Sequence, residues 1–379
     1  MSPRRFDAIV VGVGGMGGAA LYHLARRGRS VLGLERFDVP NELGSSHGIT
    51  RMIRLAYYEH PSYVPLLRRS YELWRKLEAA AGEQLLHITG SLDAGPPGSF
   101  VFEGSRRSCE EHGLEHEVID AAEVARRFPA YRLPAETLAL LQPEGGFLLP
   151  ERCIVAHVEL AQAHGAVVRA RERVLGWEET KDGVLVTSDR GVYEAEQLVL
   201  TAGAWLGELS GLPVVAERQV LAWLQPLRPD LFEPERFPVF NLVVEEGHYY
   251  GFPVFGIPGF KFGRYHHLKE RGDPDALERE PRSEDERLLR AFAERYFPDG
   301  AGPTMTLKAC LFENTPDEHF LLGLHPEHDH VVIAGGGSGH GFKFASVIGE
   351  IAAGLSLGEA PQLDIGLLRP KRFARKTAE

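Results

Sequence analysis

The chain has 379 residues, 44% of them hydrophobic and 25% charged, enough for two domains with substantial cores. A net charge of −11 argues against nucleic acid and anionic membranes as partners. No apolar run reaches the length of a bilayer span, and the three cysteines, Cys109, Cys153 and Cys310, lie too far apart for a metal or redox motif.

The first element is a short apolar run, Phe6 to Val11, and Gly12-Val13-Gly14-Gly15-Met16-Gly17 follows at once. This matches G-x-G-x-x-G. Gly12 permits a tight turn, Gly14 lets the backbone approach a pyrophosphate, and Gly17 lets helix and strand pack closely. An Ala/Leu-rich helix runs to Arg27, and Gly28 fits its C-cap. Its N-terminus offers free N–H groups to phosphates. A second strand, Ser30 to Leu34, ends on Glu35, where an acid accepts hydrogen bonds from ribose hydroxyls and repels a 2′-phosphate. The unit predicts a dinucleotide site but leaves NAD and FAD open. The chain enters this strand almost immediately, so no signal peptide is expected, and Arg375-Lys376-Thr377-Ala378-Glu379 carries no peroxisomal address. A reducing cytoplasm is the expected compartment, and no metal site is expected.

A basic polar loop from Asn41 to Arg54 comes next. Ser45, Ser46 and Thr50 can donate to phosphate oxygens. Arg51 and Arg54, three apart, would share a face on a helical turn, turned either to solvent or to a ligand. Helical spacing predicts a helix over Pro61–Ala81. Short strands and a charged helix, Ala121–Phe128, occupy the stretch to Pro143, and a further helix covers Ile154–His164. A strand over Val167–Val174 leads to a hairpin through Lys181-Asp182-Gly183. Leu198 to Trp205 reads as a buried strand entering a turn of small residues, suited to a second close approach to a nucleotide.

Pro226–Pro238, rich in Pro and charge, reads as a surface connection. Tyr249–Pro253 and Gly259–Gly263 read as strands of a second sheet. In the latter, Lys261 takes the face opposite Phe260 and Phe262, open to solvent or aimed at a ligand. Ser283–Tyr296 is an amphipathic helix. Strand Val331–Ala334, glycine-rich loop Gly335–Gly341 and helix Phe342–Leu355 close the chain. The loop aims N–H groups at one spot. Lys343, in the first helical turn, opposes the helix dipole and wants an anionic partner. Nucleotide-type units at the start, middle and end predict a discontinuous arrangement. The expected fold is α/β plus α+β: a Rossmann-like FAD-binding domain from 1–86, 146–213 and 317–379, and a mostly antiparallel substrate domain from 87–145 and 214–316.

The stretches Gly44–Tyr57, Tyr249–Gly263, Cys310–Phe320, His325–His328 and Ser338–Phe344 resemble the monomeric sarcosine oxidase and N-methyltryptophan oxidase family of flavoproteins, within the wider D-amino-acid-oxidase-like group. The resemblance covers essentially the whole chain. It implies FAD, attached covalently through Cys310, and a substrate carboxylate held by Arg54 and Lys343. It implies that Arg51 packs against the flavin, that Lys261 is the dioxygen-activation site, and that Tyr250 and Tyr57 line the substrate pocket. The implied cofactor set is Gly12, Val13, Gly14, Gly15, Met16, Gly17, Glu35, Arg36, Ser45, Ser46, His47, Thr50, Arg51, Val174, Ala202, Gly203, Trp205, Cys310, Gly337, Ser338, Gly339, His340, Gly341 and Lys343. Two departures touch the pocket wall: Phe312 stands where a tyrosine is usual, and Arg264-Tyr265-His266-His267 does not align with a histidine that follows the oxygen-site lysine. The expected activity is oxidation of secondary amino acids, sarcosine foremost, by a monomer whose partners are small amino acids and dioxygen. N-methyltryptophan, pipecolate, glycine or fructosyl-amino-acid oxidation, a flavin-bearing sensor without turnover, and an NAD dehydrogenase are the rival readings.

Overall fold

In the computed structural model, which describes residues 4–373, the apolar run after the N-terminus becomes the strand Arg4–Val11 at the centre of an eight-stranded sheet. Val31–Leu34 and Val192–Leu200 flank it in parallel, and Val167–Arg169 extends the row beyond Val31–Leu34. On its far side, Val192–Leu200 divides its partners. Its first half pairs with the hairpin strand Gly183–Ser188 and its second half with Val331–Gly335. Consecutive residues of the central strands are buried whichever face they take, as a parallel sheet covered above and below requires: Ile9, Val10, Leu198, Val199 and Leu200 are all solvent-free.

The helices Gly15–Arg26, Pro150–Ala163 and Ala345–Ser356 pack together beside this sheet. Glycine sets their spacing. A Cβ on Gly17 would meet the Gly12 carbonyl oxygen at 1.8 Å, and one on Gly349 would meet Ala19 Cβ at 2.4 Å. Close helix–strand contact draws the phosphate turn tight under the helix N-terminus.

A nine-stranded, mostly antiparallel sheet faces the first. Its order runs from Arg271–Gly272 through Val215–Leu224, Phe260–Arg264, Gly247–Phe252 and Val239–Val244 to Ser91–Gly95 and its two outer neighbours, and Thr304–Asn314 also pairs with Val215–Leu224. Aromatic side chains fill its core; Tyr249 stacks on Phe292 with ring centroids 3.8 Å apart. A three-stranded sheet, Arg51–Ile53, Gly146–Leu148 and Leu86–Ile88, joins the two layers.

Several sequence expectations change here. Arg51 and Arg54 do not share a helical face: Arg51–Ile53 is a strand and Arg54 follows its end, yet both side chains line the same cleft. Pro226–Pro238 is not only a surface connection, because Leu231, Phe232 and Phe237 are buried in the aromatic core. The strand over Val167–Val174 breaks after Arg169, and a new one begins at Val174 in the antiparallel hairpin. The helix before it starts earlier, at Pro150, whose missing N–H is harmless at that position. The last helix opens with a 3₁₀ turn, Phe342–Phe344. The C-terminal Arg375–Glu379 lies outside the described residues.

Gly17→Ala forces a methyl group into the Gly12 carbonyl and must pry the helix from the strand. The expected cost is about 1–3 kcal/mol. Chemical denaturation checks it; an unchanged unfolding midpoint would mean that the helix slides freely.

Candidate active site

One deep cleft runs between the two large sheets. At its dinucleotide end, Gly12, Val13, Gly14, Gly15 and Met16 form the floor. Nothing lies within 4 Å of where a Cβ on Gly14 would sit, so the backbone there is open to a ligand. The helix beginning at Gly15 has no acidic residue in its first turn and no side-chain cap. Its free N–H groups suit phosphate. Glu35 ends the second strand with both oxygens engaged: Oε2 accepts from the Val13 N–H at 2.8 Å and Oε1 from Phe37 at 3.0 Å. Each oxygen keeps a second lone pair for a ribose hydroxyl. Burial holds this carboxyl above its usual range, against the pull of those amides. Arg36 pairs with Asp275 at 2.9 Å and lies over the Trp205 ring at 5.3 Å. Val174, Ala202, Gly203 and Trp205 complete this end.

Ser45, Ser46, Arg51 and Cys310 line the middle of the cleft. Arg51 donates to the Ser45 carbonyl at 2.9 Å, to the Thr50 carbonyl at 3.0 Å, and to Cys310 Sγ at 3.5 Å. Ser45 Oγ is buried without a partner. An unsatisfied hydroxyl in such a place costs free energy unless a ligand meets it.

At the far end, Arg54 is 1% exposed. Its Nη2 donates to both oxygens of Glu59, at 3.0 and 2.8 Å, and its Nη1 to the Ala56 carbonyl at 2.5 Å. Asp93 lies 4.0 Å from Nε. Burial would lower the Arg54 pKa, but Glu59 and then Asp93 override it and raise it well above the ordinary value. Glu59 is likewise penalised by burial and held low by Arg54. Asp93, anchored by Ser105 and Asn241, is pushed up by burial. So Arg54 is not a bare cation.

Lys343 is different. Its Nζ donates to the His340 carbonyl at 2.8 Å, and among the described residues no carboxylate lies within ion-pair distance. Trp74 Nε1 fixes its backbone by donating to the Lys343 carbonyl at 2.9 Å. Burial, with Arg54 adding to it, lowers the Lys343 ammonium to about 7. His340 is lowered by burial to about 4 and so is neutral. Its Nε2 faces the Glu318 carbonyl at 3.0 Å and must donate, which leaves Nδ1 to accept from the Tyr57 hydroxyl. Tyr250, Phe252, Tyr265 and Phe312 form the aromatic wall opposite.

Gly337, Gly339 and Gly341 reach the cleft, but six expected residues sit behind its lining. Gly17 serves helix packing. Ser338, at φ 44°, turns its hydroxyl to the Gly336 carbonyl. Tyr57 is fully buried, with Arg54 4.6 Å and Lys343 5.5 Å from its ring centroid, so it separates two cations rather than meeting a ligand. Its hydroxyl is pushed well above the usual range by burial. His47 is buried and lowered to about 3, with neither ring nitrogen bonded. Thr50 and Lys261 bond to each other. Lys261 Nζ donates to the Gly48 carbonyl at 2.7 Å, the Thr50 carbonyl at 2.6 Å and Thr50 Oγ1 at 2.9 Å. Burial, with Arg51 nearby, drives its pKa well below normal. Of the residues after it, Tyr265 lines the cleft, whereas His266 turns away to Glu217 at 2.9 Å.

Sequence reasoning missed Glu59, Asp93, Asn241, Glu151 and Tyr265. Glu151 accepts from the Gly48 and Ile49 amides at 2.6 and 3.1 Å and holds the loop in which Ile49 takes φ 71°.

The cleft therefore fits FAD. It has a phosphate turn at one end, a cysteine beside Arg51 in its middle, and Arg54 and Lys343 at the other end. Among the described residues no group of three His, Cys, Asp or Glu could hold a metal, and no helix is long and apolar enough to cross a membrane. A dinucleotide-binding sheet facing an antiparallel sheet, with cations gathered at their junction, defines a flavin-dependent oxidoreductase. Residues 7–355 match the family described as FAD dependent oxidoreductase (DAO). The chain is 40% identical to the monomeric sarcosine oxidase of Streptomyces avermitilis, with 100% of both chains covered. It is also 40% identical to that of Bacillus sp. strain B-0618, over 98% of this chain and 97% of that one. It is 32% identical to the N-methyl-L-tryptophan oxidase of Yersinia pestis, over 97% and 99%. The structure of NikD, an unusual amino acid oxidase essential for nikkomycin biosynthesis, superposes with a TM-score of 0.85 at 27% identity, covering 97% of this chain and 98% of that one. The glycine oxidase of Geobacillus kaustophilus shares the fold, at 19% identity and a TM-score of 0.82, covering 99% of this chain and 100% of that one. The chain belongs to the DAO family of FAD-dependent oxidoreductases, among the monomeric sarcosine and N-methyltryptophan oxidases.

A group lowered to about 7 is protonated below that pH and neutral above it. A small carboxylate ligand without an amine should therefore bind best below neutrality and weaken as pH rises. Equilibrium binding between about pH 6 and 9 checks this; Lys343→Met should flatten the profile, and a flat wild-type profile would remove Lys343 from the anion site.

Proposed function

We propose that the protein oxidises N-alkyl amino acids, with sarcosine its first substrate. The overall reaction takes sarcosine, dioxygen and water to glycine, formaldehyde and hydrogen peroxide. The observation that carries the reading is Lys343: a buried ammonium at the cleft with no carboxylate among the described residues to pair it. Burying such a charge is costly unless an anion arrives, and a substrate carboxylate supplies one. Arg54 is the second group we assign to the carboxylate: Glu59 engages its Nη2, and its Nε is buried without a hydrogen-bond partner.

The pocket wall supports a small substrate. Tyr250 and Tyr265 rings lie 5.1 Å apart and Tyr265 and Phe312 rings 5.7 Å apart, which leaves an aromatic wall rather than an open groove. Nearby cations favour the neutral form of the substrate amine, the form that can be oxidised. No strong base is then needed. His340 has both nitrogens engaged, and Glu59 is committed to Arg54.

When bound, FAD supplies the two-electron acceptor. Gly12 to Met16, Glu35, Arg36, Ser45, Ser46, Val174, Ala202, Gly203 and Trp205 would hold its nucleotide half, and Arg51 with the 337–341 loop its ring. Cys310 is the group we assign to a covalent link, with Arg51 beside its sulfur. Lys261 acts behind the wall. Its three donors are taken, so its part is to stabilise charge that develops on dioxygen by its field and through Thr50. The segments 1–86, 146–213 and 317–379 then form the cofactor domain, and 87–145 with 214–316 the substrate domain.

Three outcomes test this. Anaerobic addition of sarcosine should bleach the flavin of the purified enzyme more effectively than pipecolate, glycine or N-methyltryptophan; bleaching by none of them would leave a sensor. Cys310→Ala should release yellow flavin into the supernatant on acid precipitation, while the wild type keeps it in the pellet. Lys261→Met should slow reoxidation far more than reduction in stopped flow, and equal effects would contradict the oxygen role.

A further inference from the structure

Glu313 lies on the strand Thr304–Asn314, three residues beyond Cys310. It lines the cleft yet is only 7% exposed. Its Oε1 accepts from the Gly337 N–H at 3.1 Å. Its Oε2 is buried and has no partner. Among the described residues no cation pairs with it. One glycine from each of two cleft loops makes room for it: a Cβ on Gly203 would stand 3.2 Å from Oε2, and one on Gly337 3.0 Å from Oε1. Its strand partner in register is Ala216, so it shares a sheet face with that small side chain, while the neighbouring acid Glu217, opposite Phe312, takes the other face.

A carboxyl with one orphaned oxygen, wedged between two glycine turns, is an expensive feature. Burial, opposed only by the Gly337 amide, pushes it up to about 7. Below neutrality it carries a proton and becomes a donor. Its position says what it meets. Gly203 comes shortly after Thr201, whose hydroxyl donates to the Val11 and Gly12 carbonyls at the phosphate turn. Gly337 lies in the loop that leads to Lys343 on the substrate side. Whatever spans the cleft from phosphate to ring passes between them.

We propose that the free oxygen of Glu313 hydrogen-bonds the hydroxylated chain that joins the flavin ring to the phosphates, and that this contact positions the ring. The inference rests on the flavin reading above and assigns Glu313 a positioning role, not a chemical step. A hydroxyl both donates and accepts, so it satisfies Oε2 whether the carboxyl is protonated or not. It also explains why no basic residue was placed there: a cation would meet the carboxyl and leave nothing for the ligand.

Reduced-minus-oxidised infrared difference spectra of the holoenzyme at about pH 6 test this. The wild type should show a protonated-carboxyl band that moves on reduction. Glu313→Gln, isosteric and still a donor, should keep its flavin and lose the band. Glu313→Leu should alter the visible circular dichroism of the bound flavin, which Glu313→Gln leaves near wild type. A band that survives in E313Q, or a visible circular dichroism of the bound flavin that Glu313→Leu leaves at wild type, overturns the inference alone. A wild type purified without flavin overturns the flavin reading and this inference with it.

Discussion

The buried guanidinium of Arg54 is the constraint around which the far end of the cleft is arranged. An unpaired cation in that position would cost several kcal/mol, and removing one partner of such a pair typically costs about 3–5 kcal/mol. Glu59 meets it with both oxygens and Asp93 stands behind it. The Tyr58 ring lies 4.1 Å from the guanidinium and the Tyr57 ring 4.6 Å. With Arg54 already neutralised, the next cation along, Lys343, is the one left wanting an anion. The protein thus stores a positive charge at the cleft beside an arginine whose two Nη groups are already engaged, its Nε alone lacking a hydrogen-bond partner.

A second cation is handled by different means. Lys261 is held among carbonyl oxygens of the loop Gly48–Thr50, with the Phe252 ring 4.2 Å away. The same loop is pulled from its other side by Glu151. This opposed grip sustains Ile49 in the left-handed region, which for a β-branched residue costs about 1–3 kcal/mol. Lys261 and Arg51 share the Thr50 carbonyl, so that one oxygen ties the loop to the arginine beside Cys310 and to the lysine behind them.

The first βαβ unit was legible because its logic is local. Glycine spacing, helix start and terminal acid all fall between Phe6 and Glu35, and the spacing has a steric reason: a Cβ on Gly17 would stand 1.8 Å from the Gly12 carbonyl oxygen. The basic residues of the cleft were legible as types in an acidic chain. Their geometry was not. Arg51 and Arg54 suggested a helical face, but pairing with Gly146–Leu148 drew that segment into a strand. The carboxylates that decide the charge balance, Glu59, Asp93, Glu151 and Glu313, come from four separate segments, and no spacing announces them. Glu59 alone gave a hint, close after Arg54 on the same segment. Tyr265 rather than His266 reaches the cleft because alternation after Lys261 puts 261, 263 and 265 on one face, a rule the sequence itself offered. Phe232 and Phe237 were hidden among prolines and charges, where composition outweighs single aromatic residues.

The account's central claim is that Lys343 is a cation waiting for the substrate's carboxylate. The most direct measurement compares sarcosine with its neutral amide in anaerobic stopped-flow reduction of the enzyme-bound flavin, in wild type and Lys343→Met. A charge-assisted contact is worth about 1.5–3 kcal/mol, or roughly ten- to a hundredfold in the saturating concentration. The account predicts that the wild type saturates with sarcosine at concentrations lower by about that factor, and that Lys343→Met abolishes the difference. Equal saturation by acid and amide in the wild type, or a preference for the acid that Lys343→Met leaves intact, would contradict it.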